Sequence, residues 1–316
     1  MSQDARLFRP HDVRDDEEVA REFQALRGRL LGVAYGLLGS VDEAEDVVQE
    51  SWLRLRSADR ARIEDLTGWL IVTTARLARD VLRSARHRRE EYVGPWLPEP
   101  LVTGERPRAD PAGGGDPADR VTLDESLSMA LLVVLESLTP AERTAFVLHD
   151  VFGVGFAEIG EVVGREPAAC RQLAVRARRR IEARAPRFEP SPDEQRRVLA
   201  AFAAACRTGD VQALLALLDP GVVVRSDGGG WVAAARRPVH GADRVARYLA
   251  GVARWYADDG EIAHATVNGR PGLLWTRGGE LHGVMSVTLD GGRITSVDFV
   301  RNPDKLERAR QLRGTH

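Results

Sequence analysis

From Glu18 to Arg89 apolar residues recur every three to four positions, and strand-like alternation is absent. Phe23, Leu26, Leu30, Val33 and Leu37 form one stripe that Gly39 ends, which predicts a first helix. The stretch "SVDEAEDVVQESWLRL" predicts a second, opened by Ser40 and Glu43 at capping-box spacing. Its Ala44, Val48, Trp52 and Leu55 fall on one side, and Asp46, Gln49, Glu50 and Leu53 on another, so an acidic, partly apolar outer face is expected. "TGWLIVTTARLARDVLRSARHRR" predicts a third helix from Thr67 that buries Leu70, Leu77 and Val81 and turns Arg76, Arg79, Arg83 and Arg86 to solvent.

Between Gly94 and Asp119 both periods vanish, and "GPWLPEPLVTGERPRADPAGGGDPAD" reads as a flexible interdomain linker. Its "WLPEP" carries a Trp and a Leu that are expected to dock on something rather than remain in water. Helical periodicity resumes from Val121 to Arg184. Phe156, Ile159, Val162 and Val163 predict a short helix, Gly164 breaks it, and Pro167 stands where a proline opens the next, which is a helix-turn-helix arrangement. On that second helix Cys170, Leu173, Ala174, Ala177 and Ile181 form the buried stripe. Ala168, Arg171, Gln172, Val175, Arg176 and Arg179 lie opposite, a set of forked donors, an amide and small residues suited to base edges in a major groove. Arg178, Arg180 and Arg184 are placed for phosphates. The plainer alternative is a solvated arginine face on a core helix; the tight two-helix geometry weighs against it.

After "PRFEPSPDEQ" the pattern mixes two helices, "QRRVLAAFAAACRTGDVQALLALLDP" and "GADRVARYLAGVARWYADD", with strand-like runs such as "GVVVRS", "LHGVMSVTLDG" and "RITSVDFVRN". An α+β domain is expected there. The "DGGG" turn at Asp227 is expected to be wet, as Gly-rich turns are.

A length of 316 residues suits several compact units. The net charge of -2 is near neutrality, so basic character is local to particular helices. Lys305 is the one lysine, so nearly all positive charge is arginine, and arginine count by itself decides nothing. No run is apolar enough to span a bilayer and the first residues lack a signal-peptide centre, so a cytoplasmic location is expected. Cys170 and Cys206 lie in separate helical patterns, which suggests neither a disulfide nor a metal cluster; no cofactor is expected, and no phosphate loop or zinc spacing occurs.

An acidic helix, a basic helix, a Pro-rich linker and a helix-turn-helix in that order resemble group 4, extracytoplasmic-function (ECF) sigma factors of bacterial RNA polymerase. "WLPEP", "DGGG" and "NPDKL" (Asn302–Leu306) resemble signatures of the subgroup with a fused SnoaL-like, nuclear-transport-factor-like domain. The resemblance implies a multidomain chain: an N-terminal segment (1–17), an all-α region 2 (18–92), a linker (93–120), an all-α region 4 (121–186) and a curved-sheet α+β regulatory domain (187–316). It implies that Asp46, Gln49 and Glu50 meet the β′ clamp helices of core polymerase, although without it plain solvation of that face is the preferred reading. Trp69, Thr73, Arg76, Asp80 and Arg83 resemble positions around the melted −10 strand, where bases need donors and stacking surfaces; Trp69 reads equally well as core. Arg171, Gln172 and Arg176 match the −35 recognition positions, with the β flap as the second polymerase contact. Trp96, Leu97, Pro98, Asp227, Asn302, Pro303, Asp304 and Lys305 are implied to join the C-terminal domain to the linker, controlling activity in cis without a separate anti-sigma factor. Trp96 and Leu97 are the residues expected to insert.

Two other functions suit parts of the sequence. A ligand-responsive repressor or activator accounts for the helix-turn-helix and the last domain, but leaves the first acidic and basic helices without a purpose. An enzyme would need a base among Asp227, His264, His282 and Asp298, each of which has a structural or surface reading. A small-molecule sensor suits the C-terminal domain better than turnover, and no residue names its ligand.

Overall fold

The computed structural model describes residues 10–103, 127–184, 190–254 and 259–313. Three helices lead: α1 (Pro10–Leu38), α2 (Val41–Ser57) and α3 (Leu66–Glu90). The Ser40 hydroxyl accepts from the Glu43 amide, satisfying one of the donors that an α-helix leaves free at its start. The second group comprises α4 (Met129–Leu135), α5 (Pro140–Phe146) with a π-helical turn after it (Val147–Val151), α6 (Phe156–Val163) and α7 (Pro167–Glu182). Thr139 and Glu142 form a complete capping box on α5.

These two bundles are joined through one continuous apolar core. Tyr35, Leu37 and Leu70 from the first meet Leu132, Val147 and Ile159 from the second, all fully buried. That packing corrects two expectations about α3. Leu70 is buried, but Leu77 and Val81 are only half-buried, and Ala75, Ala78 and Leu82 take the interior instead. Small residues there let α6 approach closely; Arg79 is drawn half-buried onto it, while Arg76 bonds to it and stays exposed.

The C-terminal domain opens with α8 (Pro192–Thr208) and α9 (Val211–Leu217), which the sequence reads as one helix; Gly209 in the left-handed conformation ends the first, and Asp210 caps the second. Then follow β2 (Leu218–Asp227), β3 (Val239–His240), α10 (Ala242–Arg254), β4 (Gly260–Val267), β5 (Arg270–Arg277), β6 (Glu280–Asp290), β7 (Arg293–Val300) and α11 (Pro303–Arg313). The linker adds a two-residue strand, β1 (Val102–Thr103), to the edge, giving the order β1-β4-β5-β6-β7-β2-β3. Among the described strands only β2 and β7 pair in parallel. Strand alternation divides the faces. One carries Trp275, Met285 and Phe299 against Phe202 and Leu249 of the helices. The other carries Leu274, Val284 and Val300 against Leu97, Met129 and Leu306, so linker, second bundle and α11 all pack on it.

Candidate nucleic-acid interface and interdomain junction

Gly164 ends α6 in the left-handed conformation (φ 72°) and Pro167 opens α7 at its first turn. Gly160 makes the tight turn between them feasible, because a Cβ there would stand 2.7 Å from the Arg165 carbonyl oxygen. The stripe Cys170, Leu173, Ala174 and Ala177 is buried as the periodicity predicts, while Ile181 is half-buried. Arg171 and Gln172 are exposed, and the Arg171 guanidinium stands 5.2 Å from the Phe156 ring centre. Arg176, also exposed, has its Nε 3.5 Å from Glu142 Oε1. Two of the arginines expected at phosphates have partners within the chain: Arg180 Nη1 donates to Glu142 Oε2 (2.8 Å), and Arg178 donates to Asp150. Glu142 is almost wholly buried; burial pushes its carboxyl up, but the Thr139 amide and hydroxyl and Arg180 outweigh this and hold it below the ordinary value.

On α2, Asp46 and Gln49 are exposed and Glu50 is partly so, with Leu53 beside them at 51% exposure. Glu50 accepts from Arg54 one turn on (3.1 Å), a pair worth only a few tenths of a kcal/mol. On α3 the five predicted residues separate. Thr73 is buried, and Trp69 is half-buried against the shared core. Arg76 donates through Nε and Nη2 to the Glu161 carbonyl (3.3 and 3.2 Å) and through Nη2 to the Glu161 carboxylate (3.2 Å). Arg79 donates to the Val162 carbonyl and to Asp80. Asp80 and Arg83 are exposed. In this arrangement α6 therefore covers the middle of the basic helix.

The three short motifs far apart in sequence converge on one carboxylate. Asp227, fully buried, accepts at Oδ1 from the Tyr92 hydroxyl (2.6 Å) and the Gly229 amide (3.0 Å). At Oδ2 it accepts from the Leu97 amide (2.9 Å) and the Lys305 ammonium (2.7 Å). The expectation of a wet Gly-rich turn fails because linker and α11 close over it. Lys305 also donates to the Leu97 carbonyl and lies 4.0 Å from the Trp96 ring centre, whose ring also stands 3.5 Å from the Arg89 guanidinium. Burial pulls the Lys305 ammonium below its ordinary value, and Asp227 works against that pull. Asn302 donates to the Tyr92 hydroxyl (2.8 Å) and accepts from the Asp304 amide (3.1 Å); Pro303 is half-buried, and the Asp304 side chain is exposed. Leu97 is fully buried and Pro98 buried, so WLPEP is a fixed segment and not a flexible one. Gly39, at φ 69°, admits it: a Cβ there would stand 2.9 Å from the Trp96 ring.

Four residues at this junction escaped the sequence reading. Glu99 Oε2 accepts from the Val41 amide (2.7 Å), so a linker carboxylate caps α2 from outside. Arg308 of α11 reaches Asp42 (3.1 Å), Glu45 and Glu99 (3.7 Å), tying the last helix to the first turns of α2. Asn268, in the β4–β5 turn with φ 48°, donates to the Tyr35 hydroxyl (2.8 Å) and the Leu127 carbonyl (3.1 Å) and accepts from the Leu101 amide (3.1 Å). The signal for Asn268 was visible as "NG", but such turns ordinarily face water. Arg143, 2% exposed, donates to the Gly36 carbonyl (3.0 Å) and pairs with Glu136, which also holds Arg89. Of the four residues considered as a catalytic base, Asp227 and Asp298 are buried in ion pairs, His264 is exposed and His282 is half-buried. Among the described residues no cluster of His, Cys, Asp and Glu could hold a metal ion, and no helix is long and apolar enough to cross a membrane.

Residues 23–88 match the family described as Sigma-70 region 2, and residues 128–181 match Sigma-70, region 4. The ECF RNA polymerase sigma factor SigJ of Mycobacterium tuberculosis is 41% identical over 298 residues, covering 90% of this chain and 92% of that protein. A protein of the same organism named "Probable ECF RNA polymerase sigma factor SigI" is 37% identical over 298 residues, covering 94% of this chain and 98% of its own. The crystal structure of M. tuberculosis SigJ superposes with a TM-score of 0.71 at 36% identity, covering 91% of this chain and 98% of that one.

Proposed function

The chain belongs to the ECF RNA polymerase sigma factors, which direct the polymerase to promoters, and on that premise we propose that its C-terminal domain controls this activity in cis. The Asp227 junction carries the reading: one buried carboxylate holds both the linker that joins the two sigma regions and the last helix of the C-terminal domain. Movement of the two regions apart has to pass through that linker. We assign Asp46, Gln49 and Glu50 to core-polymerase contact, an exposed acidic face suited to basic partners. Arg171, Gln172 and Arg176 are assigned to the −35 duplex, and Trp69, Thr73, Arg76, Asp80 and Arg83 to the −10 strand once α6 has moved away. The α8–α9–β2 order and seven-stranded sheet support a SnoaL-like identity for the last domain. Its covalent attachment supports control without a separate anti-sigma factor. The partners are then core polymerase and promoter DNA in the cytoplasm.

Run-off transcription on a promoter library tests this, with purified core polymerase and the protein added separately and together, and core binding followed by co-elution. Promoter-specific transcripts that need both components are expected. Asp227→Asn, and a chain ending near residue 190, should change transcript yield when compared at equal amounts of core-bound protein. Unchanged yield in both overturns cis control. Tight binding of the protein alone to a palindromic duplex, with no co-elution, overturns the promoter-factor assignment in favour of a one-component regulator.

A further inference from the structure

Asp227 is sealed beneath the linker and α11, but the loop that follows it, residues 228–237 between β2 and β3, turns back out to water. Gly229 and Gly230, both in the left-handed conformation, make that turn, and the Trp231 amide donates to the Gly228 carbonyl (3.0 Å) across it. The turn presents the Trp231 side chain at 74% exposure. Val93 of the linker, 52% exposed, stands beside it: a Cβ on Gly230 would lie 3.4 Å from the Val93 Cβ. Two large apolar side chains exposed together mark a surface that meets something.

Next to the indole is a cavity of about 260 Å³, whose lining includes Val93, Gly94, Ser226, Trp231, Val232 and Arg236. It is smaller than the roughly 300–1,000 Å³ that drug-sized ligands fill, which restricts it to a single ring system. Ser226 supplies an independent sign of an occupant. It is fully buried, and its hydroxyl has no hydrogen-bond partner among the described residues. A buried polar group without a partner is costly, so native proteins rarely leave one unless something else completes it. The charge of the loop points the same way. Asp227 is already matched by Lys305 and Tyr92, whereas Arg236 and Arg237 are exposed and carry no ion pair among the described residues. The loop also adjoins the end of the basic helix: Val93 and Gly94 closely follow α3, and a Cβ on Gly94 would stand 3.7 Å from the Arg236 Cα.

We propose that loop 228–237 binds single-stranded DNA, with one base in the cavity against Trp231 and the neighbouring phosphates on Arg236 and Arg237. Every base has a π face that an indole can stack on, its edge offers donors and acceptors to the Ser226 hydroxyl, and arginine pairs well with phosphate. Duplex DNA is a poorer fit, because its bases are stacked and paired out of reach of a one-ring slot. The C-terminal domain then contributes a contact of its own to a strand that passes the end of α3. That this strand is promoter DNA rests on the −10 assignment of α3; the binding itself does not.

The test uses the full chain and a short single-stranded thymidylate oligonucleotide carrying one iodouracil, which on irradiation joins to an aromatic ring stacked on it. After tryptic digestion a cross-link is expected in the peptide 226–236, at Trp231; it should vanish in Trp231→Ala and persist in Trp231→Phe. Trp231→Ala should also weaken the oligonucleotide by about tenfold, as loss of one stacked base does. Ser226→Ala, which removes a single buried atom, should weaken it by about fivefold, the worth of one hydrogen bond. Arg236→Ala and Arg237→Ala should each flatten the dependence of log affinity on log salt by about 0.7. Circular dichroism checks that the variants fold, and Trp231, being exposed, can be removed without loss of core. No cross-link in that peptide, or equal affinity of wild type and folded Trp231→Ala, overturns the proposal. Weakened co-elution of Trp231→Ala with core polymerase at unchanged oligonucleotide affinity overturns it as well, and makes the loop a protein contact. A cross-link at Trp69 alone would favour the −10 assignment and overturn this one, so the two readings fail separately.

Discussion

Asp227 is tolerable in the interior because each of its oxygens accepts two hydrogen bonds and one donor is a cation, so both the charge and its lone pairs are met. Asp227→Asn leaves the Lys305 ammonium buried beside a neutral amide, and removing one partner of such a pair costs about 3–5 kcal/mol. Urea unfolding at neutral pH should show that loss, and limited proteolysis should cut the linker near Trp96 faster. Burial already lowers the Lys305 pKa from 10.5, so the unfolded chain binds the extra proton between the folded value and 10.5. Stability attributable to this group therefore rises with pH across that window, more steeply in the variant, where the opposing carboxylate charge is gone. Glu99 has the opposite sign. Burial raises its carboxyl above 4.5 despite the Val41 amide, so its contribution is full below 4.5 and is lost as pH rises through the folded value. Glu99→Gln does not titrate; its melting temperature relative to wild type should climb as pH rises from 4.5, and a flat difference would remove Glu99 as the titrating group. None of this was legible from residue types: an aspartate followed by three glycines and a Pro-flanked glutamate are ordinary surface chemistry until another segment covers them.

Along single elements the sequence was far more informative, because a helix period of 3.6 reports one boundary between core and everything else. It identified the buried stripe of α7 and the break at Gly164, both set locally. It could not say whether the remaining face meets water, nucleic acid or another helix of the same chain. Arg76 and Arg79 show the limit: they stand on the outer side of α3 and yet bond to α6, about 85 residues away in sequence. The same distinction divides the arginines of α7 and can be measured. Arg171 and Gln172 are exposed, and among the described residues Arg171 has no ion pair, so Arg171→Ala and Gln172→Ala should leave stability within about 0.5 kcal/mol and weaken −35 duplex binding by about 1–3 kcal/mol each. Arg180→Ala removes a charged partner from the buried Glu142 and should lower the melting temperature instead. Equal effects of all three on DNA affinity and none on melting would place Arg180 on the reading face with the others.

At the scale of the whole molecule, the order of segments was legible and their closure was not, since closure depends on contacts that no local pattern encodes. The exposed Arg76–Glu161 pair contributes little by itself. What holds the two helical bundles together is the core they share, in which Ile159 and Val162 of α6 and Leu132 of α4 are buried with Leu70 of α3. Exposing such side chains costs roughly 1.5–3 kcal/mol each, so thermal fluctuation alone keeps the open form rare. On the proposed assignment of Thr73 and Arg76 to the −10 strand, that strand can be bound only if a partner supplies that free energy, and core polymerase is the partner proposed to supply it. Dyes on Arg62→Cys, before α3, and Ala168→Cys, at the start of α7, report the separation, both positions being exposed. The native thiols should not compete, because burial raises Cys170 and pushes Cys206 up to about 12, leaving little thiolate at neutral pH. Energy transfer should be high in the free protein, unchanged by promoter DNA alone, and should fall when core polymerase is added. Asp227→Asn should shift that fall to lower polymerase concentration, because the linker is released first. Undiminished transfer in a complex that co-elutes with polymerase would mean that the bundles stay closed while bound, and the −10 strand would then have to be held by exposed residues of α3 such as Asp80 and Arg83.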